Sequence, residues 1–115
     1  LHGSIAQGLG QALLEAVIYA RESGQLVTGS FLDYAMPRVD DMASIAAALV
    51  PVPTQTNLLG AKGGSEAGNV GAPPAIVNAL LDALAPLGVT DLQMPATPER
   101  VWQAIAAARL IPRRP

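Results

Sequence analysis

Between positions 60 and 71 the chain reads G-A-K-G-G-S-E-A-G-N-V-G, and the string that follows, A-P-P-A-I-V-N-A-L-L-D-A-L, has the pattern of a helix. Five of the eleven glycines, Gly60, Gly63, Gly64, Gly68 and Gly71, fall inside that stretch, with Lys62 and Glu66 almost the only side-chain bulk among them. Glycine serves where the backbone needs positive φ or where another group must approach it closely. A glycine-rich loop feeding a helix N-terminus offers unpaired N–H groups to an anion. A lone carboxylate on such a loop is a candidate general base. The plainer reading, a flexible surface loop with a solvated acid, is the one composition alone favours.

At 115 residues the chain has room for one domain. We read that domain as positions 1–110, with I-P-R-R-P over 111–115 as a tail. Half the residues are hydrophobic but only 3% are aromatic, so the core has to come from Ala, Leu, Val and Ile. A net charge of −2 argues against nucleic acid as a partner, since that needs a basic face. The absence of cysteine excludes a thiolate zinc site or an iron–sulfur cluster in this piece, and His2 alone is too little for a histidine metal centre. No apolar run reads as long as the roughly 20 residues of a membrane helix. The opening L-H-G-S has neither a basic signal-peptide region nor an initiator methionine, so the chain is expected to be a piece of something longer.

Ile5, Leu9, Leu13 and Val17 recur every four residues, with Ala12 and Ala16 beside them, and predict an amphipathic helix over 4–20 capped by Ser4. Gly8 and Gly10 weaken it by about 1 kcal/mol each. Their return is close contact with a ligand or with another helix, and both readings stand. Residues 25–29 (Q-L-V-T-G) are expected as a strand after a turn at 21–24, and 30–37 as an extended segment crossing the core with Asp33 as a hydrogen-bonded structural acid. Residues 38–42 read as a charged loop. The alanines of 43–52 would suit a helix, but Pro51 and Pro53 favour extended backbone, and a strand is expected over 45–50. A helix is expected over 73–86, opened by Pro73 and Pro74 and stopped by Pro86 and Gly88, followed by a short strand at 89–94. Thr97, Pro98 and Glu99 have the order of a helix start, for a last helix reaching about Leu110. Together these predict an α+β fold in two layers.

Familiar nucleotide motifs fail. The glycine spacing of a P-loop is present from Gly63 to Gly68, but Asn69-Val70 stands where Lys-Ser/Thr belongs. Gly8-Leu9-Gly10 follows no strand and lacks a third glycine. His2, at the chain's end, leaves no Ser/His/Asp set.

Four separated strings, however, occur in a telling order: H-G-S-I-A-Q-G-L-G-Q-A-L-L-E, G-S-F-L-D-Y-A-M-P-R, N-L-L-G-A-K-G-G-S-E-A-G-N-V-G-A-P-P-A-I-V-N-A-L-L-D-A-L, and P-A-T-P-E-R-V-W-Q-A-I. The chain resembles, from His2 to about Ile105, the C-terminal end of the molybdenum-binding large subunit of the xanthine dehydrogenase, aldehyde oxidase and aerobic carbon monoxide dehydrogenase family, most of all its bacterial three-subunit, carbon monoxide dehydrogenase-like branch. The resemblance implies a fragment of a molybdopterin-binding domain. It implies oxidation of a small carbon substrate (carbon monoxide, an aldehyde or an N-heterocycle) with water as the oxygen source. The family's glutamate at the end of a K-G-x-G-E-like loop falls on Glu66, which then acts as the active-site base. Lys62, Gly63, Gly64 and Ser65 would lie along a molybdenum–molybdopterin cytosine dinucleotide, and Gln7 near it, with no residue of this chain as a metal ligand. The implied partners are the remainder of the large subunit, an FAD-binding medium subunit and a 2Fe-2S small subunit, in the cytoplasm. Many relatives carry glycine at the position of Ser65, and a family glutamine near the metal belongs just upstream of Leu1. The alternative is a non-catalytic remnant serving as a small structural or interaction domain. With a mean hydropathy of +0.34 and few charges, the chain alone is expected to associate or be poorly soluble.

Overall fold

A computed structural model describes residues 1–110, and the tail expected over 111–115 lies outside them. Three helices carry the architecture: α1 (His2–Leu13), α2 (Ala67–Leu84) and α3 (Pro98–Leu110), with single 3₁₀ turns at Val39–Asp41 and Ala85–Leu87.

Small residues set the crossing of α1 and α2. A Cβ on Gly8 would stand 2.9 Å from Ala72 Cβ and 3.0 Å from Pro73 Cδ, and one on Gly68 would stand 2.7 Å from the backbone nitrogen of Ile5. Atoms do not pack that closely, so the two backbones approach only because both positions are glycine. Of the two readings of Gly8, the helix contact is the one observed. Gly10 is likewise crowded, by Glu15 Oε1 and by the ring of Pro37.

α1 stops well short of the expected position 20. The Gly10 carbonyl accepts both Leu14 N–H (2.9 Å) and Glu15 N–H (2.8 Å), and Leu14 leaves helical geometry at φ −125°. The next orphan carbonyl, Ala12, accepts the Ala96 N–H at 2.6 Å, taking the oxygen that a continuing helix would offer Ala16. The helix begins at His2, so Ser4 is no cap; its hydroxyl donates back to the Leu1 carbonyl at 2.8 Å.

The two-layer α+β expectation is not met: among the described residues there is no strand, only one antiparallel bridge between Tyr19 and Leu26. That bridge sits in a small hairpin closed by Val27 N–H to Ile18 O (2.8 Å) and Ala20 N–H to Gln25 O (2.8 Å), turning at Gly24 with φ 69°. A ladder needs a neighbouring strand to continue. Among the described residues, 25–29 face only the short stretch 18–20, and 45–50 and 89–94 run without regular structure. Nor does 30–37 cross a core: Phe31 is 81% and Leu32 94% exposed. Asp33 does accept a hydrogen bond, from Ser30 Oγ at 3.0 Å.

α2 starts six residues before Pro73, at Ala67, so Pro73 and Pro74 lie inside it. An interior proline costs a helix about 3 kcal/mol. Here Pro73 is buried against Gly8, and the α1 contact offsets the lost hydrogen bond. With the following turn, Ala67–Leu87 is long and apolar enough to cross a membrane by length and composition, which the sequence reading did not credit. It packs on α1, yet only Pro73 and Leu84 of its residues are buried among the described residues.

The last third follows expectation most closely. Thr97 Oγ1 accepts the Arg100 N–H at 3.4 Å at the start of α3, with Glu99 in the first turn. Leu84, Val89, Leu92 and Ala96 form the buried core, with Leu13, Leu80, Leu81, Val101, Ile105 and Ala108 packed around it. Arg100 holds the connection in place, its guanidinium donating to the carbonyls of Met94 (2.9 Å) and Pro95 (3.2 Å), and the Met94–Pro95 peptide is cis.

Candidate functional site

The chain reaches α2 through a tight loop. Residue 60 has φ 63°, and a Cβ there would stand 2.9 Å from Pro53 Cβ, so glycine is required twice over. Asn57 closes the loop with its side-chain amide, and Thr54 N–H donates to the Gly60 carbonyl at 3.1 Å. From Ala61 to Ala67 every residue is exposed.

Glu66 is the N-cap residue of α2: its carbonyl accepts the Val70 N–H at 2.9 Å, while its side chain makes no capping bond. The carboxylate turns back instead, placing Oε2 3.8 Å from where a Gly63 Cβ would be. Around Gly64 a Cβ would meet nothing within 4 Å. Lys62, Gly63, Gly64 and Ser65 thus present open backbone leading into a helix N-terminus, beside one carboxylate and one ammonium. Inside the first turn of α2, Asn69 Oδ1 is buried with no hydrogen-bond partner among the described residues.

Gln7 lies on α1, next to Gly8 and hence next to the helix crossing. It is exposed and lines a shallow depression with Gly3, Ala6, Glu15, Met36 and Pro37. The crossing brings the two predicted strings onto packed helices, since Ser4 and Ile5 of α1 lie against Gly68, two residues beyond Glu66. Sequence reasoning missed Glu15 and Tyr34. The Tyr34 hydroxyl donates to Glu15 Oε2, tying the 30–37 segment to the end of α1. Donating that bond to Glu15, then burial, then the negative charge of Glu15 together push the Tyr34 hydroxyl above its ordinary 10.0. A period-four stripe ending at Val17 gave no reason to single out Glu15, because its partner is far along the chain.

The donor set says what kind of group these residues can hold. Among the described residues no three His, Asp or Glu side chains converge on a metal-binding position. What the chain offers is N–H groups at a helix start, an ammonium and glycine clearance, which suit a large anionic organic cofactor.

Comparisons with known proteins point to one family. Residues 1–43 match the family described as molybdopterin cofactor-binding domain. The chain is 38% identical over 104 residues to the nicotine 6-hydroxylase large subunit of Paenarthrobacter nicotinovorans, covering 90% of this chain and 13% of that one. Its fold superposes on quinoline 2-oxidoreductase from Pseudomonas putida 86 with a TM-score of 0.83 and 41% identity, over 98% of this chain and 14% of that one. Reconstituted carbon monoxide dehydrogenase from Oligotropha carboxidovorans gives a TM-score of 0.85 at 28% identity, over 95% of this chain and 13% of that one. The chain therefore spans a small part of the length of each relative. By sequence and by fold it belongs to the molybdenum-binding large-subunit family of the xanthine dehydrogenases, nicotine hydroxylases and carbon monoxide dehydrogenases.

Proposed function

We propose that this chain is the C-terminal part of the large subunit of a molybdenum hydroxylase, with Glu66 as the active-site base. The observation that carries this reading is the start of α2, where an exposed carboxylate folds back over Gly63 beside a backbone that Gly64 leaves open.

A bound molybdenum–molybdopterin cofactor, in the cytosine dinucleotide form, supplies the redox chemistry that delivers a water-derived oxygen to the substrate carbon. The chain's own residues do the rest. Lys62 and the N–H groups of Gly63, Gly64 and Ser65 hold the cofactor's anionic groups, and Gln7 orients it from α1. Glu66 accepts, on a carboxylate oxygen, the proton that the oxygen nucleophile loses as it attacks. That role needs a site closed to water, and the rest of the subunit provides the closure. The exposed surface supports this. At 9040 Å² it well exceeds the figure for a compact monomer of this mass, about 5,900 Å². The radius of gyration, 18.5 Å, likewise exceeds the roughly 13 Å of a self-contained chain of this length. Leu49, Val50, Val52, Leu58, Leu59 and Trp102 all stand exposed on that surface. The extended 45–50 segment then finds its missing ladder in the remainder of the subunit.

The substrate class we favour is an aromatic N-heterocycle. Identity is 41% to the quinoline enzyme and 38% to the nicotine enzyme, against 28% to the carbon monoxide dehydrogenase. A 2Fe-2S group on a small partner subunit and FAD on a medium one would supply the electron acceptors, in an assembly placed in the cytoplasm. The test is molybdenum and pterin content after co-expression with the upstream large-subunit sequence and both partners, followed by turnover of Glu66→Gln. Loading only in the assembled complex, with turnover abolished in the variant, is the expected result. Undiminished turnover in Glu66→Gln sinks the base assignment. Oxidation of carbon monoxide but of no N-heterocycle sinks the substrate class.

A further inference from the structure

Asn57 makes more directed contacts than any other side chain near the site. Its Oδ1 accepts the N–H of Leu59 (3.1 Å) and of Ala61 (3.0 Å), and its Nδ2 donates to the Ala61 carbonyl at 3.0 Å. Two N–H donors require the oxygen on one side, and one carbonyl requires the amino group on the other, so the orientation of the amide is fixed by its partners. A single planar group therefore grips both polar groups of Ala61, much as a neighbouring strand would. The main chain completes the closure: Gly60 N–H donates to the Asn57 carbonyl at 3.1 Å, and Gly60 holds φ 63° against Pro53.

Ala61 is the residue immediately before Lys62. Beyond it, a Cβ on Gly64 would meet nothing within 4 Å and one on Gly63 only the Glu66 carboxylate, while the Gly64 carbonyl accepts the Ala67 N–H at 3.4 Å and so joins the string to the start of α2. A glycine string of this kind is held by its two ends. One end is the first turn of α2, fixed by Gly68 against Ile5. The other end is Ala61.

We propose that Asn57 is a positioning residue for Glu66: it clamps Ala61 and so sets where the Lys62–Ser65 backbone and the Glu66 carboxylate lie relative to the cofactor and substrate. The inference rests on Glu66 being the base. Asn57 touches neither cofactor nor reacting atoms, and its effect passes through Ala61. Aspartate at this position keeps the acceptor for both N–H groups, loses the bond to the Ala61 carbonyl and sets a carboxylate oxygen against it. Alanine loses all three bonds.

The test uses the enzyme assembled with the rest of its large subunit and its partners, as wild type, Asn57→Ala, Asn57→Asp and Glu66→Gln. Three quantities are read: molybdenum content, kcat and KM on an N-heterocycle, and amide hydrogen exchange at positions 59 and 61. The last is measurable whether or not the cofactor is loaded. For Asn57→Ala, exchange at Leu59 and Ala61 is expected to quicken roughly tenfold. Its kcat should fall about ten- to a hundredfold, with KM and molybdenum content close to wild type. Asn57→Asp should recover part of both. A kcat within twofold of wild type in Asn57→Ala overturns the proposal. So does a loss of molybdenum that accounts for the loss of kcat, since Asn57 would then retain the cofactor and not aim the base. If Asn57→Ala does not assemble, Asn57→Asp carries the test, and unchanged kcat and exchange there overturn it equally. Normal turnover by Glu66→Gln removes the base reading and this role with it, while the exchange data still show separately whether the clamp exists.

Discussion

Gly68 and Gly64 belong to one glycine-rich string, yet they do opposite things. A Cβ on Gly68 would run into the main chain of Ile5, which cannot move without shifting α1. A Cβ on Gly64 would meet empty space. Gly8 belongs with Gly68, since its own neighbours are Ala72 and Pro73. The first kind of glycine is explained inside the chain, as the contact that lets two helix backbones touch. The second meets no described neighbour, which leaves room for the approach of the cofactor proposed above. Composition cannot separate the two, because both are glycine in a glycine-rich run.

Substitutions can break or sharpen that contrast. The largest effect is expected at the carboxylate beside the open glycines: Glu66→Gln should cut kcat by roughly 10²- to 10⁴-fold with molybdenum content intact, as measured by steady-state turnover on the assembled enzyme. Gly68→Ala comes next. Overpacking against backbone should destabilise the subunit by about 1–3 kcal/mol, visible as a lower midpoint in denaturant unfolding. An unchanged midpoint would mean that the crossing of α1 and α2 tolerates a wider spacing. Gly64→Ala should leave stability within about 0.5 kcal/mol of wild type while lowering molybdenum and pterin content. If Gly64→Ala instead unfolds the subunit and loads normally whatever remains folded, the contrast collapses.

The smallest effect concerns Tyr34. Its folded pKa lies above the ordinary 10.0, chiefly because its hydroxyl donates to Glu15. A raised folded value means that the contribution of this bond to stability is complete below the unfolded pKa and is lost as pH rises through the higher folded one. On alkaline titration Tyr34→Phe should therefore remove a phenolate step that lies above the ordinary tyrosine value. Loss of a step at the ordinary value instead would show that the Glu15 contact does not persist in solution.

Local signals were legible wherever a residue's role depends on its near neighbours in sequence. Thr97, Pro98 and Glu99 mark the start of α3 because an N-cap needs only the next three residues. The apolar face of Ile76, Val77, Leu80, Leu81 and Leu84 was readable as a helix for the same reason. The start of that helix was not, since the rule that puts proline in a first turn is local while the contact of Pro73 with Gly8 is not. The expected strands failed on the same ground: 25–29 and 45–50 have strand-forming residues, but a ladder is a property of two segments, and these find almost no partner among the described residues. As for the candidate site, Glu66, Lys62 and the glycines could be named from their string, while the clamp by Asn57 could not, because an asparagine in a loop looks the same whether or not its amide finds Ala61.

The sequence by itself determined the family, through four strings in order, and with it the residues on which the chemistry is proposed to fall. It also determined a core of aliphatic side chains without aromatic support, since composition permits no other. Only the tertiary structure decided which glycines are packed and which are open, where α1 ends and where α2 begins. Those outcomes depend on distances between parts of the chain far apart in sequence, such as Ala96 taking the Ala12 carbonyl or Ile5 lying on Gly68. A hydrogen bond or a steric contact across such a separation leaves no periodicity for a local pattern to carry.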